Sequence, residues 1–231
     1  MSNKAAATTE QPAIRKVFVW ELPIRLFHWT LLLLVIGLYV TAELMDDGIE
    51  LHASLGLALL SLVTFRVIWG FVGGRYARFS QFVRGPRTVL SYTAAEFRGQ
   101  STTSPGHNPL GGWMVVALLI TLFIQVSLGL FSNDDILFDG ALARMVSKDT
   151  SDLLTGLHVD LFYVLAVLIG LHVTAVIGHR LFKGENLVAP MFTGYKQLPA
   201  GAAESETGGK ILLRASVLLA ICGGLVYGFI G

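Results

Sequence analysis

The chain has 231 residues, of which 53% are hydrophobic and only 14% are charged, and its formal net charge is +1. An ordinary soluble domain carries about 25% charged residues. The composition, with its apolar residues in long blocks, therefore excludes an average soluble domain and favours an integral membrane protein. Cys222 is the only cysteine, which excludes a disulfide or an iron–sulfur cluster held by thiolates within this chain.

In chain order, a polar stretch over residues 1–16 predicts a flexible tail, and five apolar blocks follow it. Each block has the roughly 20 residues that cross a membrane, and each must be helical because no water is present there to satisfy the backbone. The blocks cover about residues 22–42, 51–72, 112–132, 155–178 and 211–230. The predicted fold class is an all-α integral membrane protein. Its core over residues 17–183 is a four-helix transmembrane bundle, followed by a linker over residues 184–210 and a fifth transmembrane helix.

Basic and acidic connections alternate along the chain. Lysine and arginine lie before the first block, in residues 73–111 and directly after the fourth block, whereas residues 43–50 and 133–152 are rich in aspartate and glutamate. The positive-inside rule then predicts a multi-pass membrane protein with a cytoplasmic N-terminus, acidic connections outside and the C-terminus outside.

Four histidines, His28, His52, His158 and His172, lie in or at the ends of the apolar blocks. Ionisable residues are costly inside a membrane, so four together indicate a function. His158 and His172 are 14 residues apart on one predicted helix, which puts both on nearly the same face and about 21 Å apart along the axis. The directions of the helices place His28 level with His172 at the inner side, and His52 level with His158 at the outer side.

Two histidine pairs at two levels of a helical bundle are typical of haem ligation. Neutral imidazoles on facing helices are suitable axial ligands to iron, and occupation of both axial positions favours electron transfer over oxygen binding. We therefore predict two haems b. Arg25 and Arg66 are candidate partners of the propionates, Trp29 is a candidate haem contact, and Gly56 would let a porphyrin approach the backbone. Close helix packing is an equal explanation for the glycine.

The two remaining histidines, His107 and His179, lie at the ends of the third and fourth helices. Their first interpretation is as interfacial surface residues. Their second is that, with Asn108, they bind the head group of ubiquinone or menaquinone, or move its protons.

The chain resembles the bacterial cytochrome b561 family, in particular its branch related to the b-type subunits of nickel–iron hydrogenases. The resemblance covers about residues 17–198. Its motifs are Val19-Trp20-Glu21-Leu22-Pro23-Ile24-Arg25-Leu26-Phe27-His28-Trp29, Phe65-Arg66-Val67-Ile68-Trp69-Gly70-Phe71-Val72-Gly73, Gly106-His107-Asn108-Pro109-Leu110-Gly111-Gly112-Trp113 and Gly170-Leu171-His172-Val173. It implies a four-helix bundle with two haems b ligated at His28, His52, His158 and His172. It also implies respiratory electron exchange between membrane quinone and a periplasmic redox protein. The location that it implies is the bacterial inner membrane, with the C-terminus on the periplasmic side.

We expect membrane lipid, quinone and a periplasmic cytochrome c or dehydrogenase as partners, and no nucleic acid. The fifth helix departs from the family pattern and leaves the redox partner and the oligomeric state open. One alternative is a superoxide:ubiquinone oxidoreductase, in which Lys148 or Arg144 would attract the anion, although the acidic outer connections favour a cationic partner. The other alternative is a haem-free transporter or assembly subunit, which would leave four intramembrane histidines with little reason to be there.

Overall fold

The computed structural model describes residues 13–100, 103–136 and 138–230. Five helices in this part of the chain are long and apolar enough to cross a membrane, which confirms the predicted helical membrane fold. They are α1 (Leu22–Glu43), α2 (Ile49–Val72), α5 (Pro109–Gly129), α6 (Lys148–Lys183) and α8 (Gly209–Phe229). The shorter elements are β1 (Ile14–Phe18), α3 (Phe79–Phe82), α4 (Pro86–Phe97), α7 (Ala189–Thr193) and β2 (Tyr195–Pro199).

Local signals explain where the long helices begin. Pro23 occupies the first turn of α1, where its missing N–H is not needed. Asn108 caps α5 and Ser147 caps α6, each through its side-chain oxygen. The α6 helix has 36 residues and starts seven residues before the apolar block that predicted it, because its first two turns are polar and periodicity in hydrophobicity does not reveal them.

The α2 helix lies at the centre of the bundle and packs against α1, α5 and α8. Among the helices it supplies the largest number of buried side chains, including Leu59, Val63, Phe65 and Trp69. Among the long helices, α6 packs closely on α5 alone, and Ser151 and Leu165 are its only buried residues. A cleft therefore separates α6 from α1 and α2.

The two strands cover one end of the bundle. β1 pairs with β2 in antiparallel register from Ile14 opposite Pro199 to Phe18 opposite Tyr195. Gly194 makes the turn into β2 with a φ of +86°, and a Cβ there would lie 2.6 Å from the ring of Phe18, so both conformation and space require glycine. We call this the sheet end, where α1 begins and α2 ends. The opposite end, with residues 44–48 and 130–147, is the acidic end.

Two segments are more ordered than their composition indicated. Most of the predicted tail, residues 1–12, lies outside the described residues, but Ile14–Phe18 forms β1. The predicted linker contains α7 and β2. The fifth transmembrane helix is not detached, because α8 packs along α2 and buries Ile211, Ala215, Cys222 and Val226.

Candidate haem sites

The structure places the two predicted histidine pairs face to face across the cleft. At the sheet end, the ring centroids of His28 on α1 and His172 on α6 are 6.5 Å apart. At the acidic end, those of His52 on α2 and His158 on α6 are 6.2 Å apart. Each pair therefore joins α6 to a helix on the far side of the cleft.

These separations fit an iron atom held between two imidazoles. A metal–imidazole bond is about 2 Å long and the nitrogen lies about 1 Å from the ring centre, so two axial ligands have centroids about 6 Å apart. Packed aromatic rings also have centroids about 4.5–7 Å apart, so it is the recurrence of this separation in histidine pairs at both levels of one cleft that indicates ligation. The donor set and the spacing therefore fit bis-histidine haem ligation.

The acidic-end imidazoles are held by backbone carbonyls. Nδ1 of His52 lies 3.0 Å from the Leu38 carbonyl and 3.3 Å from the Thr41 hydroxyl. Nδ1 of His158 lies 2.9 Å from the Gln125 carbonyl, and the Gln125 amide donates in return to the His158 carbonyl at 2.9 Å. A carbonyl can only accept, so each Nδ1 carries the proton and each Nε2 is left as the free ligand atom.

Glycines on the helices give the ligands and the cleft their space. A Cβ on Gly129 would lie 3.1 Å from Cε1 of His158, so this glycine makes room for the imidazole. A Cβ on Gly56 would meet no atom within 4 Å, although the residue is half-buried. Helix packing therefore does not explain Gly56, whereas an unfilled space one turn after His52 fits the edge of a flat macrocycle.

Replacing Gly56 with leucine should reduce the haem content from two towards one per chain, because the side chain would enter the space beside the His52–His158 pair. The helical circular dichroism should be unchanged, since no protein atom is displaced. The matched control is Gly223→Leu on α8, where a Cβ also meets nothing within 4 Å but no histidine is near. Equal haem contents in the two variants would show that Gly56 does not contact the cofactor.

Arg66 is 3% exposed and lies at the sheet end of α2. Its guanidinium packs over the rings of Phe27 at 5.9 Å and Phe79 at 5.2 Å, and its buried Nη1 has no hydrogen-bond partner in the described part of the chain. The Glu21 carboxyl offsets part of its charge, and the free Nη1 donor can bind a further anion. A haem propionate beside His28, which follows Phe27 in the sequence, would provide it.

Arg25 and Trp29 contact the protein differently from Arg66. The Arg25 guanidinium donates to the Phe192 carbonyl of α7, and the Trp29 indole donates to the Met191 carbonyl at 3.2 Å and stacks on the Phe192 ring. Trp29 also meets His28 edge to face, with centroids 5.2 Å apart. Both side chains therefore fasten α7 to the helix that carries His28.

The three candidate quinone residues separate into different roles. His107 lies between Trp20 and Phe82, with centroids 4.9 and 4.8 Å away, and lines a cavity of about 380 Å³ with Tyr76 and Arg84. Burial, and then the charge of Arg66, lowers the pKa of His107 to about 3, so the ring is neutral.

The other two candidates have contacts of their own. The Asn108 side chain caps α5 and accepts from Gly111 N at 2.7 Å, and His179 pairs with Glu185 at 3.4 Å. The cavity favours His107 for the head group, and the roles of Asn108 and His179 in quinone binding stay predictions.

Sequence reasoning missed three side chains that support these sites. The Gln125 amide donates to the His158 backbone carbonyl, and the Thr41 hydroxyl lies 3.3 Å from Nδ1 of His52. Glu21 is a buried carboxylate at the sheet end, 2% exposed, that accepts from the Trp69 indole at 2.5 Å. A glutamine in the middle of a membrane helix is a signal that could have identified the first. The other two depend on neighbours distant in sequence.

Comparison with known proteins also indicates a haem-binding membrane protein. Residues 19–194 match the family described as Prokaryotic cytochrome b561. The chain belongs to the prokaryotic cytochrome b561 family. As a b561 cytochrome it is a membrane b-type cytochrome, and the family implies a haem-binding helical bundle and electron transfer.

A more distant similarity is to a Probable Ni/Fe-hydrogenase B-type cytochrome subunit of Azotobacter vinelandii. The identity is 26% over 223 residues, covering 80% of this chain and 92% of that protein. No solved structure matches the chain. The family match ends at residue 194, so α8 lies outside it.

Proposed function

We propose that this cytochrome carries electrons through the membrane between a quinone at the sheet end and a soluble redox protein at the acidic end. The observation that carries the proposal is the pair of imidazole–imidazole separations, 6.5 and 6.2 Å, at two levels of α6. Haem bound at each level supplies a one-electron ferric–ferrous change. The residues around it hold the imidazoles, provide the cleft and neutralise propionate charge.

The basic side chains support a cytoplasmic sheet end. Arg75, Arg84, Arg87 and Arg98 all lie in the connection between α2 and α5, and clustered arginines beside transmembrane helices are typical of the cytoplasmic side. The connection contains α4, whose Leu90 and Phe97 are exposed, as expected of a helix on a membrane surface.

The quinone is assigned to the cavity beside His107. The cavity is large enough for a substituted benzoquinone ring, and the neutral imidazole can exchange a hydrogen bond with a quinone oxygen. The Trp20 and Phe82 rings on either side hold the imidazole in place. Arg84 and Arg75 line the same cavity and would favour an anionic reduced form.

The acidic end suits a cationic partner. Asp46, Asp47 and Glu50 are exposed, and no ion pair engages them within the described residues. A negative surface steers a positively charged protein, such as a basic cytochrome c or a subunit of a dehydrogenase. The hydrogenase named for the Azotobacter protein is one member of the second class.

The superoxide alternative receives no support from the acidic end. Lys148 is bound by Asp135 and Asp152, and Arg144 pairs with Asp139 at 3.3 Å. Both cations that could attract superoxide are therefore neutralised by neighbouring carboxylates.

The test is quinol oxidation by the purified holoprotein. Anaerobic mixing with a soluble ubiquinol analogue should reduce the haems, and His107→Phe should slow reduction at least tenfold with two haems retained, because phenylalanine keeps the ring packing but removes the hydrogen bond. His179→Gln is the control and should react at the wild-type rate. A wild-type rate for His107→Phe would contradict the assigned quinone site, and rapid oxidation of superoxide by the wild type would favour the alternative function.

A further inference from the structure

The two histidine pairs differ in what their outward-facing nitrogens contact. At the acidic end both Nδ1 atoms lie within hydrogen-bond distance of carbonyls, His52 at 3.0 Å from Leu38 and His158 at 2.9 Å from Gln125. At the sheet end the Nδ1 atom of His28 is buried without a partner, and the part of the chain that the structure describes offers no hydrogen bond to the His172 ring.

The charges around the two pairs also differ. At the sheet end Arg66 is only 3% exposed and packs against Phe27, and the buried carboxyl of Glu21 offsets part of its charge. At the acidic end the nearest charged groups on the ligand-bearing helices are the exposed carboxylates Glu50 and Asp160, each two residues from a histidine. A buried cation acts through a low dielectric, whereas exposed carboxylates are screened by water and salt.

Both differences alter the energy of an added electron. A hydrogen bond from Nδ1–H to a carbonyl gives the imidazole more electron density and makes it a stronger ligand, which favours the ferric state. Reduction adds one negative charge to the site, so a buried guanidinium favours the ferrous state. Hydrogen bonding therefore disfavours reduction at the acidic end and decides the order, because the charge of Arg66 is offset by Glu21 and by the propionate that it would bind.

We propose that the acidic-end site has the lower reduction potential, with Gln125 as the positioning residue that sets it by clamping His158. The reciprocal bonds between Gln125 and His158, both 2.9 Å, hold the Nδ1–H against the carbonyl and fix α5 on α6. An electron shared by the two sites would therefore reside at the sheet end, beside the proposed quinone cavity. This inference rests on the two-haem assignment of the proposed function.

The first test is a spectroscopic redox titration of the wild-type holoprotein. His158→Ala and His28→Ala, each retaining the opposite haem, assign the two spectra. We expect the sheet-end haem to be reduced first. At a given ambient potential the ferrous-to-ferric ratios of the two haems should differ at least tenfold, which corresponds to a difference of about 59 mV between their reduction potentials for a one-electron couple. Reduction of the acidic-end haem first, or of both haems together, would overturn the ordering while leaving quinol oxidation as a separate result.

The second test examines the cause. Gln125→Leu keeps the volume of the side chain but removes the amide that clamps His158, so the acidic-end haem should become easier to reduce, by about threefold or more in ferrous-to-ferric ratio. The sheet-end haem should not change. Ser61→Ala is the matched control, because its buried hydroxyl on α2 bonds only the Leu57 carbonyl at 2.9 Å and contacts no histidine. Identical titrations of Gln125→Leu and Ser61→Ala would overturn the role of Gln125, and the wild-type titration tests the ordering even if the variant is unstable.

Discussion

Alanine at His52 or His158 should lower the haem content from two to one per chain and abolish the acidic-end signal. Alanine at His28 or His172 should remove the sheet-end signal instead. The reason is that each pair supplies both axial ligands of one iron, and loss of one ligand leaves a haem without a stable low-spin site. The measurement is a reduced-minus-oxidised spectrum with pyridine-haemochrome quantification on protein in mild detergent.

The histidine controls separate ligation from folding. His179→Ala should keep two haems, because His179 pairs with Glu185 and lies about 10 Å along α6 from the ligand His172. Retention of helical circular dichroism and of a monodisperse elution profile would show that the bundle persists in each ligand variant. A well-folded wild type without haem, or a ligand variant that keeps two haems, would contradict the assignment.

Glu21→Ala should lower the free energy of unfolding by about 3 kcal/mol, because it leaves two buried N–H donors without their acceptor, each at a cost of about 1–3 kcal/mol. Those donors are the Trp69 indole at 2.5 Å and the Gly74 backbone at 3.3 Å. Trp69 is fully buried in the core, so water cannot replace the lost acceptor. The measurement is thermal unfolding in detergent. Glu21→Gln, which keeps an acceptor oxygen, is the matched control and should lose much less stability.

The same residue predicts a pH dependence. Burial raises the pKa of Glu21 above its ordinary value of 4.5, with the Trp69 hydrogen bond opposing the shift. A carboxyl whose pKa is raised on folding contributes stability below its unfolded pKa and loses that contribution as pH rises through the folded value. Wild-type stability should therefore fall relative to Glu21→Gln as pH increases above about 4.5. Parallel curves for the two proteins would show that Glu21 is ionised without penalty.

The helices were accessible to prediction because membrane burial depends on composition over about 20 residues. The apolar block over about residues 22–42, for example, was enough to locate α1 (Leu22–Glu43). The histidine pairing was accessible for the same reason, since the helix rise and the direction of each span fix the level of each residue. Its interpretation as haem ligation stays a prediction that the haem measurements test.

The contacts that complete the sites were not accessible from local pattern. The Gln125 carbonyl accepts a hydrogen bond from His158, 33 residues further along the chain. Glu21 accepts one from Trp69, 48 residues further along. The strand β1 could not be predicted from local sequence, because its partner β2 follows all four helices of the core in the chain. The role of Asn108 as the α5 cap was not accessible either, because asparagine is common both at helix caps and in binding sites.

The sequence by itself determined that the chain crosses the membrane, how many helices do so and at which levels the histidines lie, because these properties follow from hydrophobicity and helix rise along a single segment. Only the tertiary structure decided that α8 packs on α2, that Glu21 and Arg66 are buried together, and that one histidine pair is hydrogen-bonded while the other is not. Those features depend on which faces of separate helices meet. Inside a membrane all faces are apolar, so hydrophobic periodicity does not specify that choice.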